Sequence, residues 1–296
     1  MLKYIHCIIY LLGQITNVIS TKSISYYYSI DNIIFSCLIY GFPFPLLFGY
    51  FIYKKQNIEI INILVGLLDF IIIILIYIGI HNLKIAEYLS YRTFSIIFNV
   101  ILSYFFLSKK FNKIEILSII AIFINCSILL SLSGISNIYY SLMIIFASLL
   151  YSYSGYLTEK YHDKINFIQI KLVSSFCSMI IYNIYASFGL LNNQQIIKYN
   201  NFILLLLILL ASSSEYICFN SKCEIIKLID NGSIYINILD IIRRLIIFII
   251  GYLLFTEIQK VYIYYSFGIL MITCILYTFS NKLIQFIKKP NYNNLV

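Results

Sequence analysis

The chain has 296 residues, 61% of them hydrophobic and 11% charged, against roughly 25% charged in an ordinary soluble domain. That excludes a soluble globular protein, and only 3 Pro and 11 Gly exclude collagen-like and polar disordered chains. The formal net charge of +9 would suggest nucleic acid in a soluble protein, so the Lys positions are first tested against membrane topology.

A helix crossing the hydrocarbon core needs about 20 mostly apolar residues. The pattern predicts ten such helices, at 4–20, 32–53, 60–80, 85–107, 114–135, 138–157, 167–190, 202–219, 234–255 and 261–280. Lys3 and the apolar run after it imitate a signal peptide, but Gln14, Thr16 and Asn17 interrupt the run and no A-x-A site follows. It therefore reads as the first span. The Gly41-Phe42-Pro43-Phe44-Pro45 stretch falls inside the second span and predicts a kink there. The runs are continuously apolar rather than alternating, which disfavours a transmembrane barrel. The abundant Ile, Asn, Tyr and Lys are what an AT-rich genome encodes, so Tyr or Ile frequency says little about any one site.

With ten spans, thirteen Lys fall on one side, among them Lys109, Lys110, Lys160 and Lys222, against Lys22, Lys84, Lys198 and Lys260 on the other. The positive-inside rule then places both termini in the cytosol, and the basic balance needs no nucleic-acid partner. The seven Cys are dispersed without a CxxC pair and read as small core hydrophobes. His6, His81 and His162 have no partner at metal-ligand spacing, so no metal is expected. Without a GxGxxG or GxxxxGK[ST] stretch no cofactor is expected either, and energy must come from gradients or exchange.

Seven charged residues lie inside expected spans: Asp69, Arg92, Lys171, Glu215, Asp240, Arg243 and Arg244. These include every Arg in the chain. An ionised group at the bilayer centre costs about 2.5–3.5 kcal/mol on insertion scales, so such groups face a cavity or a partner. Asp240 sits three residues before Arg243 and four before Arg244, close enough for either to neutralise it within the helix. Arg92 follows Tyr88, Ser90 and Tyr91 and suits bidentate recognition of phosphate or carboxylate, the alternative being a salt bridge to Asp69 or Asp240. Asp69 could bind a proton or cation. Asn17, Ser20 and Lys22 line one end of the first span, where small polar residues also serve as helix glue. The seven intramembrane charges, four positive and three negative, sum to +1, which does not distinguish an anionic from a cationic solute.

Shifting the chain by half its length, 148 residues, lays Cys126 over Cys274 and Arg92 over Asp240. Five spans per half is odd, so the halves 1–135 and 136–296 would enter the membrane in opposite orientations, the inverted-repeat design of many secondary transporters.

On these residues the chain resembles the drug/metabolite transporter superfamily, in its EamA-type, solute carrier 35, nucleotide-sugar-transporter-like branch. The resemblance lies in Asp69, in Arg92 with Ile96-Ile97-Phe98, Ser103, Phe106-Leu107 and Lys109-Lys110, in Glu159-Lys160, in Leu239-Asp240-Ile241-Ile242-Arg243, in Glu257 and in Leu276-Tyr277. Asn17, Ser20 and Lys22 are similar too. It departs at Leu89, where relatives carry Gln, and at Lys84 and Glu87, which replace small hydroxyl residues. The resemblance implies ten helices in two inverted five-helix repeats around a central cavity that works by alternating access.

The expectation is an all-α membrane protein of the endomembrane system that is not an enzyme. It would carry a small polar organic solute such as a nucleotide sugar, phosphorylated metabolite, amino acid or peptide. Asp69, Tyr88, Arg92, Asp240 and Arg243 would line the path, with Asn17, Lys22, Lys171 and Glu215 as secondary candidates. Its partners would be the substrate, the lipid bilayer and a coupled proton or counter-substrate, with room for a homodimer. The rivals are an intramembrane lipid or glycosyl transferase, for which the loops are short, and a pore or scaffold, which gives the half-chain repeat no reason.

Overall fold

The computed structural model describes residues 2–27, 32–54, 57–108, 110–132, 135–161, 163–187, 202–228, 232–255 and 261–288. Lys55, Lys109, His162, Lys198, Glu257, Lys260 and Lys289 lie outside the described residues. Among those described, all regular structure is helical: α1 (Leu2–Tyr27), α2 (Asn32–Gly41), α3 (Phe44–Lys54), α4 (Ile60–Asn82), α5 (Ile85–Arg92), α6 (Phe94–Leu107), α7 (Lys113–Leu132), α8 (Ile135–Lys160), α9 (Phe167–Ser187), α10 (Phe202–Leu228), α11 (Gly232–Phe255) and α12 (Val261–Lys288).

Seven stretches among the described residues are long and apolar enough to cross a membrane: Cys37–Lys54, Ile60–Asn82, Ile85–Phe106, Lys113–Ser131, Ile138–Lys160, Phe167–Tyr185 and Phe202–Lys222. The protein is thus a multi-pass all-α membrane protein. Its outward faces are apolar, with Leu46, Tyr53, Phe105, Phe106, Leu253 and Tyr265 exposed, as residues facing lipid tails must be.

The second expected span is two helices. Pro43 has no N–H to give the carbonyl of Ile39, so α2 closes with Phe42 N–H on the Leu38 carbonyl at 3.1 Å and α3 begins one residue after the proline. The fourth expected span is also divided. At Thr93 the ladder tightens to i→i−3, Thr93 N–H to Ser90 O at 3.1 Å and Ile96 N–H to Thr93 O at 2.9 Å, a local 3₁₀ turn of the kind that marks hinges. Hydroxyls stabilise it, with Thr93 Oγ1 donating to Ser90 O and Ser95 Oγ to Arg92 O.

Three local devices set the helix ends that matter here. Asn112 and Glu115 form a reciprocal capping box at the start of α7, and Ser280 of α12 joins it by donating to Glu115 Oε1 at 2.9 Å. Asn62 at the start of α4 and Gln169 at the start of α9 share a 2.8 Å hydrogen bond, and each also bonds backbone beyond the other helix's end, Asn62 to Lys164 O and Gln169 to Asn57 O. One turn deeper Gly66 lets α4 and α9 touch; a Cβ there would lie 2.7 Å from Val173 Cβ and 2.8 Å from Ile170 O. Lys22 belongs to α1 rather than to a loop, and its Nζ donates to the last carbonyls of α4, Ile80 and Leu83, at 3.1 and 2.9 Å.

The short α5 is central: all eight of its residues are buried, and Tyr88, Leu89 and Tyr91 pack with Ile144 of α8, Ile247 of α11 and Phe267 of α12. α1 packs most extensively on α10, α4 on α8 and α9, α6 on α8, and α7 on α12. This arrangement brings the intramembrane charges of five helices to the interior.

Candidate functional site

The seven charged residues expected inside spans gather in two clusters. The first is built by α1, α5, α8, α10 and α11. Arg92, at the end of α5, holds its guanidinium 4.8 Å from the ring centre of Tyr151 on α8. Lys222 of α10 lies 4.3 Å from the same ring and donates to the Tyr151 hydroxyl, so one aromatic ring receives two cations. From α11, Asp240 accepts from the Tyr10 hydroxyl of α1 at 2.8 Å and pairs with Arg243 Nη1 at 3.5 Å. Arg243 Nη1 also donates to Gln14 Oε1 at 2.6 Å. Tyr88 completes the wall within electrostatic range of Arg243.

Arg244, one residue on, points about 100° away from Arg243 by helix geometry. It is 4% exposed, and among the described residues its Nε and Nη1 have no hydrogen-bond partner. Its charged neighbours are Asp240, Arg243 and Arg92. Arg92 itself is 8% exposed with Nη1 unpartnered, and Arg243 leaves Nε unpartnered. Among the described residues the cluster holds four cations, Arg92, Lys222, Arg243 and Arg244, against one carboxylate, Asp240, a balance of +3. A buried N–H without an acceptor costs about 1–3 kcal/mol, more when charged. A bound oxyanion is the group that would satisfy several at once.

The second cluster joins α4, α9, α10 and α2. Lys171, 4% exposed, donates to Asp69 Oδ2 at 2.8 Å and lies 3.6 Å from Glu215 Oε1. Its ammonium also sits 4.6 Å from the Phe219 ring and 5.2 Å from the Tyr40 ring. A small pocket opens beside it, lined by Tyr40, Pro43, Lys171, Ser174, Ser212 and Glu215 among others. Here two carboxylates face one cation, a balance of −1.

The structure brings Tyr88, Arg92, Asp240 and Arg243 together in the first cluster and Asp69, Lys171 and Glu215 in the second. The salt bridge expected as an alternative for Arg92 does not form: Asp69 is taken by Lys171, and Asp240 by Arg243 and Tyr10. Asn17 bonds the Ala211 carbonyl and the Tyr77 hydroxyl, holding α1 to α10 and α4. Lys22 bonds helix-end carbonyls as described. Among the described residues no group of three or more His, Cys, Asp or Glu could hold a metal.

Sequence reading missed Tyr10, Gln14, Tyr40, Tyr151 and Lys222. Lys222 was expected in a cytosolic loop, but α10 continues to Leu228 because the stretch from 220 to 228 contains neither Pro nor Gly. Its spacing of seven from Glu215, two turns on one helix, was the available signal. The tyrosines had no signal, because Tyr is abundant in this chain, 29 of 296 residues.

No protein-family model matches the chain, and no curated protein matches it. Its backbone is similar to a solved structure described only as the crystal structure of a protein, with a TM-score of 0.60 at 10% identity over 97% of this chain and 99% of the other. That likeness speaks to the fold alone.

Proposed function

We propose that the protein is a secondary carrier that moves a small polar organic solute, anionic at the end that meets Arg92 and Arg244, across an endomembrane by alternating access. The observation that carries this reading is the set of buried guanidinium N–H groups on Arg92, Arg243 and Arg244 that find no acceptor among the described residues. Guanidinium N–H groups without acceptors in an apolar interior are what an anion site presents between visits of its ligand. Nucleotide sugars and phosphorylated metabolites fit this chemistry better than cationic solutes do.

The helix packing supports ten spans in two inverted repeats, residues 1–135 and 136–296, when α2 with α3 and α5 with α6 each count as one span. Matching α1 to α8, α4 to α10 and α5–α6 to α11 pairs the major contacts: α1 on α10 answers α8 on α4, and α8 on α5–α6 answers α1 on α11. The Lys asymmetry supports cytosolic termini. The resemblance to the drug/metabolite transporters supports the same reading. Both spans interrupted within the bilayer, at Pro43 and Thr93, adjoin a charge cluster, as broken helices do at transporter binding sites.

The test is counterflow in proteoliposomes loaded with pooled nucleotide sugars, phosphorylated sugars, amino acids and short peptides, read by mass spectrometry, with wild type, Arg92→Ala and Arg244→Ala. Exchange of an anionic class that both variants lose supports the reading. Exchange of a cationic class, or undiminished exchange by both variants, overturns it.

A further inference from the structure

The break at Thr93 follows Arg92 directly, and the two halves of the chain differ there. In an unbroken α-helix Ile96 N–H would serve the Arg92 carbonyl; here it turns to Thr93 O at 2.9 Å, and Ser95 Oγ donates to Arg92 O at 2.9 Å instead. Likewise Thr93 N–H reaches Ser90 O at 3.1 Å, one residue short of the helical register, and Thr93 Oγ1 donates to the same carbonyl. Hydroxyls thus supply the bonds that the tighter turn gives up. Both flanks are held. Cys126 Sγ of α7 lies 3.3 Å from Thr93 Oγ1 and 3.5 Å from Ser90 O, and Ser152 of α8, next to Tyr151, donates to Ser95 O at 3.0 Å. Under the 148-residue shift Ser90, Thr93 and Ser95 fall on Ile238, Ile241 and Arg243, which carry no hydroxyl, and α11 runs from Gly232 to Phe255 without a break.

We propose that Thr93 is a positioning residue of the anion site: the turn that its hydroxyl holds sets the Arg92 guanidinium over the Tyr151 ring. Each residue in a 3₁₀ turn adds about 20° of rotation and about 0.5 Å of rise over an α-helical one, so closing the break would swing the end of α5 relative to α6. α6 is packed on α7 and α8, whereas α5 is packed on α8, α11 and α12. The break lets one run of chain satisfy both, with Arg92 carried on the α5 side, where α11 brings Arg243 and Arg244. Thr93 meets no solute and acts through Arg92. This rests on the carrier reading for its effect on transport and on the turn alone for the placement of Arg92.

Two arms test it on the full chain. The chain has no Trp, so Tyr151→Trp places a single indole where Arg92 stacks, and its fluorescence in detergent reads that contact with no solute added. In this background Arg92→Ala should shift the emission maximum. Thr93→Val, which keeps the shape and removes the hydroxyl, should shift it in the same direction, and Thr93→Ser should leave it where the unsubstituted Thr93 has it. An emission that ignores Arg92→Ala, that Thr93→Val leaves in place, or that Thr93→Ser shifts as far as Thr93→Val does overturns the assignment. If Thr93→Val does not fold, Ser95→Ala takes its place, with the same shift expected and an unmoved emission overturning it. In proteoliposomes carrying the same solute pool, Thr93→Val should raise the half-saturating concentration about tenfold, as for one weakened charged hydrogen bond to the solute, with the maximal rate kept within about twofold. Thr93→Ser should restore it. A maximal rate that falls while half-saturation stays put overturns the positioning role. If wild type moves no member of the pool, the carrier reading fails, and the fluorescence arm still decides whether Thr93 places Arg92.

Discussion

The two buried charge clusters use the same residue types to different ends. Around Lys171 the cation is met from several sides: Asp69 and Glu215 flank the ammonium, two aromatic rings face it, and the Asn62–Gln169 clamp and Gly66 hold α4 and α9 together beneath it. Around Arg244 the cations outnumber the acceptors, and guanidinium N–H groups of three Arg side chains are left without one. A cluster whose cation is held by carboxylates of neighbouring helices ties those helices together. A cluster that lacks acceptors is the one the proposed solute would complete.

The contrast is broken most forcefully by removing one member from each side. Lys171→Ala strands two carboxylates in the interior, and breaking a buried pair in this way costs about 3–5 kcal/mol; a large drop in the detergent unfolding midpoint is expected, with much of it recovered by Asp69→Asn and Glu215→Gln in the same chain. Arg244→Met should do the reverse, leaving the unfolding midpoint of the solute-free protein unchanged or higher, because it removes a buried charge that has no partner. The same substitution should lower counterflow about 100-fold, the equivalent of losing a charged hydrogen bond of roughly 2–3 kcal/mol to the solute. A midpoint that falls as far for Arg244→Met as for Lys171→Ala would erase the distinction between the clusters.

Smaller effects sharpen it. Gly66→Ala puts a Cβ against the Ile170 carbonyl and the base of Val173, so α4 and α9 must separate at about 1–3 kcal/mol. Gly79→Ala meets the far end of the flexible Ile144 side chain, Cδ1 at 2.0 Å, and should cost less, since that side chain can turn away. Tyr151→Phe keeps the ring under Arg92 and Lys222 and removes the hydroxyl that Lys222 uses. Counterflow should fall less than tenfold, about 1 kcal/mol, whereas Tyr151→Leu should fall further by losing the cation–π face as well.

What was legible in the sequence was what the bilayer dictates locally. Lengths of apolar runs, Pro43 and the polar punctuation located helix starts to within a few residues, since a backbone in lipid must satisfy its own hydrogen bonds and has little choice but helix. The intramembrane charges were visible for the same reason: each is costly, so each is conspicuous in an apolar run. The break at Thr93 was not visible, because it needs no Pro or Gly and is held by hydroxyls of Thr93 and Ser95 that occur throughout the chain.

Partnership is what only the tertiary structure decided. From the sequence the seven charges summed to +1 and named no solute; folding divided them, with Lys222 and without any change of composition, into one group at +3 and another at −1. Asp69 and Lys171 are 102 residues apart and Tyr10 and Asp240 are 230 apart, and Coulomb energy falls with distance in space rather than along the chain. Residue identity determined that the charges would be buried. The packing of α4 on α9, and of α1 on α10 and α11, determined which of them pair with one another and which keep N–H groups without an acceptor among the described residues.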